Sequence, residues 1–339
     1  MGQLMNSRFN KPLKQIRVTP LASESFGVRS MCTLVETPNV SLLLDAGISL
    51  CPYRFNLPPH PIEFQTINRL RRDIADAAEK ADVVTISHYH FDHHTPSYTD
   101  WIVNWTDGGE SAREIYQNKT VLVKNPKENI NVSQRERAKL FLRTGGKHAK
   151  KVEAADGQTF FFEDTAVKFS CAVPHGAENS KQGWVIMTTI EFSAERFMFA
   201  PDIQGPMAAN TLKLILEVKP DMLMLGGPPL YLAGSRVDET QINFALKNLE
   251  HIVEAVPNVI LEHHTLRDEL WREKCLAVLQ KANKAGHNLS SAAEYLGKDV
   301  NLLEAKRKQL YNDYPPSEKF ERWIKTLNNK NISKPPIET

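Results

Sequence analysis

The chain has 339 residues, 41% hydrophobic and 24% charged, which is enough to bury a full core and excludes collagen-like or wholly disordered classes. A formal net charge of +2 and a pI of about 8.2 give no argument for a nucleic-acid partner from charge alone. Cys32, Cys51, Cys171 and Cys275 show no C-x-x-C or zinc-finger spacing and read as reduced thiols. The opening MGQLMNSRFNKPLKQIR lacks the apolar centre of a signal peptide, and no apolar run reaches the ~18 residues a membrane helix needs. A cytoplasmic protein without membrane attachment is expected.

In chain order, residues 1–13 are polar and read as a flexible N-terminus. IRVTPLA, MCTLVET and VSLLLDAG follow as short apolar strands. Residues 61–81 carry Ile62, Ile67, Leu70, Ile74 and Ala77 at helical spacing behind Pro61. VVTIS, at 83–87, is apolar throughout and predicts a strand buried on both faces. PSYTDWIVNW reads as the next helix, then TVLVK, TFFFE, AVKFSCAV, WVIMTTIEF and RFMFA as strands, the last two joined through SAE as a hairpin. Helices over 207–218 and 238–256 alternate with strands DMLMLGG and NVILEH. Everything from 268 on reads as helix, ending in a flexible tail at 330–339. Hairpin-connected strands followed by strand–helix alternation predict an α/β protein with two packed sheets and helices outside.

The stretch SHYHFDHH, 87–94, uses four of only 11 histidines in a loop that leaves a buried strand. Such loops lie at the carboxyl ends of strands, where α/β proteins place their sites. His88 and His90 are two apart and point the same way in an extended segment, while Asp92 and His93 follow a turn. Imidazole and carboxylate together suit zinc, manganese or iron. Further donors stand at other strand ends: His175 after AVKFSCAV, Asp202 after RFMFA, and His263 and His264 after NVIL.

With H-x-H-x-D-H, His175, Asp202 and a late histidine in that order, and LLLDAG upstream, the sequence resembles the metallo-β-lactamase superfamily over roughly 14–270. FGVRSMC, PYRFNLPPHPIEF, SHYHFDHH, GGPPLYLAG and EHHTLRD make it similar to an uncharacterised archaeal family of predicted hydrolases within that superfamily. The resemblance implies an αββα four-layer sandwich over 14–270 with a helical C-terminal extension, 271–329, packed on it. It implies two divalent metal ions, zinc first and manganese or iron as alternatives. His88, His90 and His175 would hold one ion, Asp92, His93 and His263 the other, with Asp202 bridging. His264 is the alternative to His263. The four-residue step from His263 to Arg267 looks like that of the tRNA-processing members, which is why His263 is preferred. His94 reads as orienting a ligand rather than being one. Asp92 would also orient the nucleophile or carry a proton.

Arg54, His60, Tyr231 and Arg236 lie in loops that are candidates for substrate contact. The reading is a hydrolase in which hydroxide, available at neutral pH through two divalent ions, attacks a small phosphoester or phosphodiester. A lactonase or thioesterase is the alternative within enzymes. From Asp202 to His263 is 61 residues (263 − 202), too few for the inserted cap domain of RNA-cleaving members. Nucleic acid is therefore not favoured as substrate, although the tail KRKQLYNDYPPSEKFERWIK supports a non-catalytic RNA-binding alternative. The sequence leaves the oligomeric state open.

Overall fold

The computed structural model describes residues 12–326 and 333–337. Among these, two sheets face one another. The first, in spatial order β1 to β6, consists of β1 (Arg17–Pro20), β2 (Thr33–Glu36), β3 (Ser41–Leu44), β4 (Val83–Ile86), β5 (Thr120–Val123) and β6 (Lys151–Ala154). Strands β1 to β3 form an antiparallel meander, and β3 to β6 run parallel. The second sheet is built from β7 (Thr159–Phe162), β8 (Thr165–Phe169), β11 (Thr188–Phe192), β12 (Glu195–Ala200), β13 (Met222–Gly226), β14 (Asn258–Glu262) and β15 (Asn288–Ser290), in the order β15-β14-β13-β12-β11-β8-β7. A separate ribbon pairs β9 (Val173–Pro174) with β10 (Trp184–Val185).

Strand alternation produces the layers. Phe197, Phe199, Met222, Met224 and Ile260 belong to the core shared with the first sheet. Their neighbours Met198, Ala200, Leu223, Leu225, Val259 and Leu261 face the opposite way, into a second core. That second core is closed by α4 (Ala209–Val218), α5 (Glu239–Ala255) and α7 (Leu276–Ala285). The outer face of the first sheet is covered by α1 (Pro61–Lys80), α2 (Gly108–Tyr116) and α3 (Val132–Arg143). The result is helix, sheet, sheet, helix: the αββα sandwich of the metallo-β-lactamase fold. Each fully buried Leu or Phe in these layers contributes roughly 1.5–3 kcal/mol.

Several expectations need correction. Residues 96–105 form no helix, because Asp100 Oδ1 accepts from the N–H groups of Ile102 and Val103, both at 2.9 Å, and holds a turn instead. AVKFSCAV and WVIMTTIEF each break in two, releasing the β9–β10 ribbon that carries His175. The segment after 268 is not all helix: β15 pairs in parallel with β14. It continues through α6 (Trp271–Lys274), α8 (Ala292–Tyr295), α9 (Arg307–Asp313) and α10 (Glu318–Ile324). Helices α2 and α3 and strand β6 were not anticipated.

The segments read as loose ends are partly tied down where they are described. Leu13 is buried in the core. Lys334 Nζ sits 4.6 Å from the Trp101 ring centre, and Trp323 Nε1 donates to the Ser333 carbonyl at 2.9 Å. Residues 1–11, 330–332 and 338–339 lie outside the described residues.

Candidate metal centre

Ligand-type residues gather where the parallel strands end. Asp45 follows β3, His88 to His93 follow β4, His175 follows β9, Asp202 follows β12, and His263 follows β14. Asp45, Asp202 and His263 all have positive φ, at 47°, 48° and 64°. Each strand turns sharply there, at a cost of the order of 1 kcal/mol or more per non-glycine residue, to aim a side chain at one point.

That point is the Asp202 carboxylate. Its Oδ2 lies 2.9 Å from His175 Nε2, 3.1 Å from His88 Nε2, 3.3 Å from His93 Nε2 and 3.8 Å from His90 Nδ1. Its Oδ1 lies 2.8 Å from His263 Nε2 and 3.3 Å from His264 Nε2. Two donor groups result. His88, His90, His175 and Asp202 present atoms within 4.8 Å of one another, as do Asp92, His93 and His263. His264 joins Asp202 and His263 in a third grouping but not Asp92 and His93.

The far ring nitrogens are held from behind. His93 Nδ1 contacts Asp45 Oδ2 at 2.7 Å, His263 Nδ1 contacts Glu24 Oε2 at 3.1 Å, and His88 Nδ1 contacts Ser87 Oγ at 3.0 Å. Such partners fix ring orientation and leave the Nε2 lone pair facing inward. Asp45 is itself clamped by the Ser87 N–H and hydroxyl. Sequence reading noted LLLDAG but gave Asp45 no role, and it missed Glu24 altogether, since a lone glutamate in SESF carries no pattern.

Electrostatics divides the histidines. Burial, with repulsion from His93 and His90, holds His88 well below its ordinary range, and burial also lowers His90. Burial and Arg267 hold His264 down. Burial opposes charge on His93 and His263 too, but Asp202 with Asp45 or Glu24 outweighs it, lifting His93 well above its ordinary range and His263 to about 9. Against the same burial, the surrounding histidines hold Asp92 and Asp202 well below the carboxylate range.

The donor set fits a cation. Imidazole nitrogens face one another, His88 Nε2 to His90 Nδ1 at 3.0 Å and His93 Nε2 to His263 Nε2 at 3.4 Å. Both rings of the first pair are held toward the neutral form, so at most one proton sits between them and a lone pair is left for a positive ion. His175 Nδ1, Asp202 Oδ1 and His264 Nε2 are buried without a hydrogen-bond partner. A cleft of about 390 Å³ opens onto His90, Asp92, His175, Asp202 and His264.

The loop residues anticipated for substrate contact are not among the residues lining this cleft. His60 is the N-cap of α1: its Nδ1 accepts from the Ile62 N–H at 3.3 Å and its Nε2 meets the Tyr314 carbonyl at 2.8 Å. The spacing His60-Pro61 with Glu63 at the third helical position already spelled a cap. Arg54 stacks on Tyr231 at 4.5 Å and reaches the Arg267 carbonyl at 3.3 Å, so both are engaged with each other. Arg236 is exposed in the following loop. His94 gives its Nδ1 to the His90 carbonyl at 2.9 Å and packs among aromatic rings, so it braces the loop backbone and not a ligand ring.

Fold and donor cluster together define the class: a metallo-β-lactamase-fold protein with a buried His/Asp donor centre that could hold metal ions. The chain belongs to the UPF0282 family. It is 43% identical over 295 residues to a UPF0282 protein of Methanopyrus kandleri, covering 87% of this chain and 99% of that one. It is 40% identical over 303 residues to a UPF0282 protein of Korarchaeum cryptofilum, covering 89% and 97%. No family model matches the chain. Among solved structures, unliganded yeast PDE1 is similar over 82% of this chain and 98% of its own, with a TM-score of 0.50 and 13% identity. Tm1679, described as a metal-dependent hydrolase of the beta-lactamase superfamily, covers 82% of this chain and 96% of its own, with a TM-score of 0.44 and 12% identity. Among the described residues no helix is long and apolar enough to cross a membrane.

Proposed function

We propose that the chain is a binuclear metal-dependent hydrolase acting in the cytoplasm on a small phosphoester or phosphodiester. The observation that carries the reading is the convergence of five histidine side chains, with His264 beside them, on the single carboxylate of Asp202. His88, His90 and His175 would hold one divalent ion and Asp92, His93 and His263 a second, with Asp202 between them. Zinc is the first choice for this donor chemistry, with manganese and iron as alternatives. Bound there, such ions lower the pKa of water toward neutrality and stabilise developing negative charge on oxygen.

The chain's own groups supply the rest. Asp92 is ionised and borders the cleft, so it enters as an acceptor that orients the attacking water and can pass a proton toward the leaving group. Arg29, Arg137 and Arg267 line the cleft, and among the described residues its lining carboxylates are Asp92 and Asp202. Guanidinium N–H groups on the cleft wall suit the oxygens of an anionic ester better than a neutral lactone, although Arg29 and Arg267 are each paired with a carboxylate. An RNA-binding role has less support, because Phe320, Trp323 and Arg307 of the tail are spent on the core, although Lys306, Lys308, Lys319, Arg322 and Lys325 are exposed. Phe320 and Trp323 are buried against Phe64, and Arg307 is buried on Glu63 at 2.8 Å.

The test is hydrolysis of bis(p-nitrophenyl) phosphate by metal-stripped protein before and after zinc or manganese is added. Metal-restored activity is expected. Inactivity on this diester together with metal-dependent cleavage of a lactone or thioester would move the substrate to acyl carbon.

A further inference from the structure

The three guanidinium groups of the cleft are not equivalent. Arg29 is paired with Glu304 through two contacts of 2.6 Å. Arg267 is paired with Glu24 at 2.8 Å. Arg137 has no carboxylate partner among the described residues. It makes one long contact, Nη1 to the Tyr89 carbonyl at 3.5 Å, and its Cζ lies over the Phe91 ring, 4.8 Å from the ring centre. Phe91 stands in the chain between His90 and Asp92. A half-buried guanidinium with five donors and one weak acceptor, stacked on the donor loop itself, has bonding capacity that the protein does not use.

Ser133 lies four residues before Arg137 on α3, so the two share a helix face, and both line the cleft. Its hydroxyl has no hydrogen bond within the chain among the described residues. This face is held rigidly against the metal-type cluster. Asn131 caps α3 by accepting from the Gln134 N–H at 2.8 Å and donates to the Lys181 carbonyl at 3.0 Å. Gln134 Nε2 donates to the Gln182 carbonyl at 3.0 Å. The loop so fastened is the one that begins at His175.

We infer that the Ser133–Arg137 face of α3 is a second oxyanion subsite of this cleft. The substrate then carries, apart from the bond that is cleaved, a separate phosphate or carboxylate that docks on Arg137. The inference rests on the reading of the cleft as a metal-dependent substrate site, and it narrows that reading to doubly anionic substrates. Arg137 does not touch the reacting atoms in this arrangement. It selects and positions.

The test is calorimetric titration of zinc-loaded protein with propyl phosphate, with α,ω-alkanediol bisphosphates of increasing chain length, and with phosphonoalkanoates of matching length. Wild type, Arg137→Gln and Arg137→Lys are compared at equal metal content. In wild type, at least one bisphosphate is expected to bind about tenfold or more tighter than propyl phosphate, the gain of one charge-assisted anchor. Arg137→Gln should lose that advantage while weakening propyl phosphate far less than the bisphosphates, and Arg137→Lys should keep part of it. Phosphonoalkanoates that share the advantage would identify a carboxylate as the distal group, and phosphonoalkanoates that lack it would identify a phosphate. No advantage at any length in wild type, or an advantage unchanged in Arg137→Gln, overturns the inference and leaves the hydrolase reading standing. Failure of propyl phosphate itself to bind the zinc-loaded protein overturns the site reading, and the inference falls with it.

Discussion

The imidazole Nδ1 of His263 lies 3.1 Å from the carboxylate of Glu24, a residue 239 positions earlier in the chain. The same carboxylate accepts from Arg267 Nε at 2.8 Å. One buried glutamate therefore orients a candidate ligand and neutralises a buried arginine.

Glu24→Gln keeps the shape but removes the charge. Metal affinity is expected to fall about 10- to 100-fold, as for other carboxylates behind ligand histidines. Glu24→Ala should also destabilise the fold by about 3 kcal/mol, because buried Arg267 loses its hydrogen-bonded carboxylate and keeps only the more distant Asp92, at 3.6 Å. Metal titration followed by chemical denaturation separates the two effects. Unaltered affinity in both variants would remove Glu24 from the centre.

His90→Ala and Asp202→Ala should each lose bound metal and activity together while far-UV circular dichroism is unchanged. The check is elemental analysis of purified protein. Full metal content in both would refute the donor assignment. Asp202→Ala is expected to be the more damaging, since both donor groups converge on that carboxylate.

Gly47 admits no side chain. A methyl group there would stand 2.2 Å from the His94 nitrogen and 2.4 Å from that of His93, both backbone atoms that cannot swing away. Gly47→Ala should push the histidine loop out of place, with a loss of about 3 kcal/mol or more and of bound metal. A variant with wild-type melting temperature and metal content would contradict this close approach.

Acid should weaken the join between the first sheet and the late helices. Burial alone would raise the Glu304 carboxyl, but Arg29, Arg267 and Arg307 outweigh it and bring it from 4.5 to about 2. A carboxyl depressed on folding contributes stability that is complete above its unfolded pKa and is lost as pH falls through the folded one. A shift of this size is worth about 3 kcal/mol. Denaturation of wild type and Glu304→Gln should differ most above pH 4.5 and converge as pH approaches 2. A gap that stays constant across that range would show that ionisation of Glu304 is not the source.

Much of the centre was legible in the sequence, because metal-type residues at the ends of apolar strands announce both their position and their chemistry. His88, His90, His93, His175, Asp202 and His263 each follow a strand whose hydrophobicity marks it as interior. The layers were legible for the same reason. What was not legible depends on contacts between distant segments. Glu24 has meaning only opposite His263 and Arg267, and Arg137 only beside Phe91. Strand β15 has one apolar residue, Leu289, and is a strand because β14 offers it an edge. The false helix at 96–105 shows the opposite failure: its apolar spacing was acceptable, but Asp100 captured the backbone N–H groups that a helix would have needed.

The pairs Arg29–Glu304, Arg307–Glu63 and Glu24–Arg267 join the opening of the chain to its close. During synthesis, Glu24, Arg29 and Glu63 emerge without their counter-charges, which follow 243, 275 and 244 residues later. The loop at 88–93 emerges before His175, Asp202 and His263, which complete its donor groups. The donor groups are complete only once His263 has emerged and the three pairs only once Arg307 has, so a chain cut before His263 would lack both its late ligand and its counter-charges.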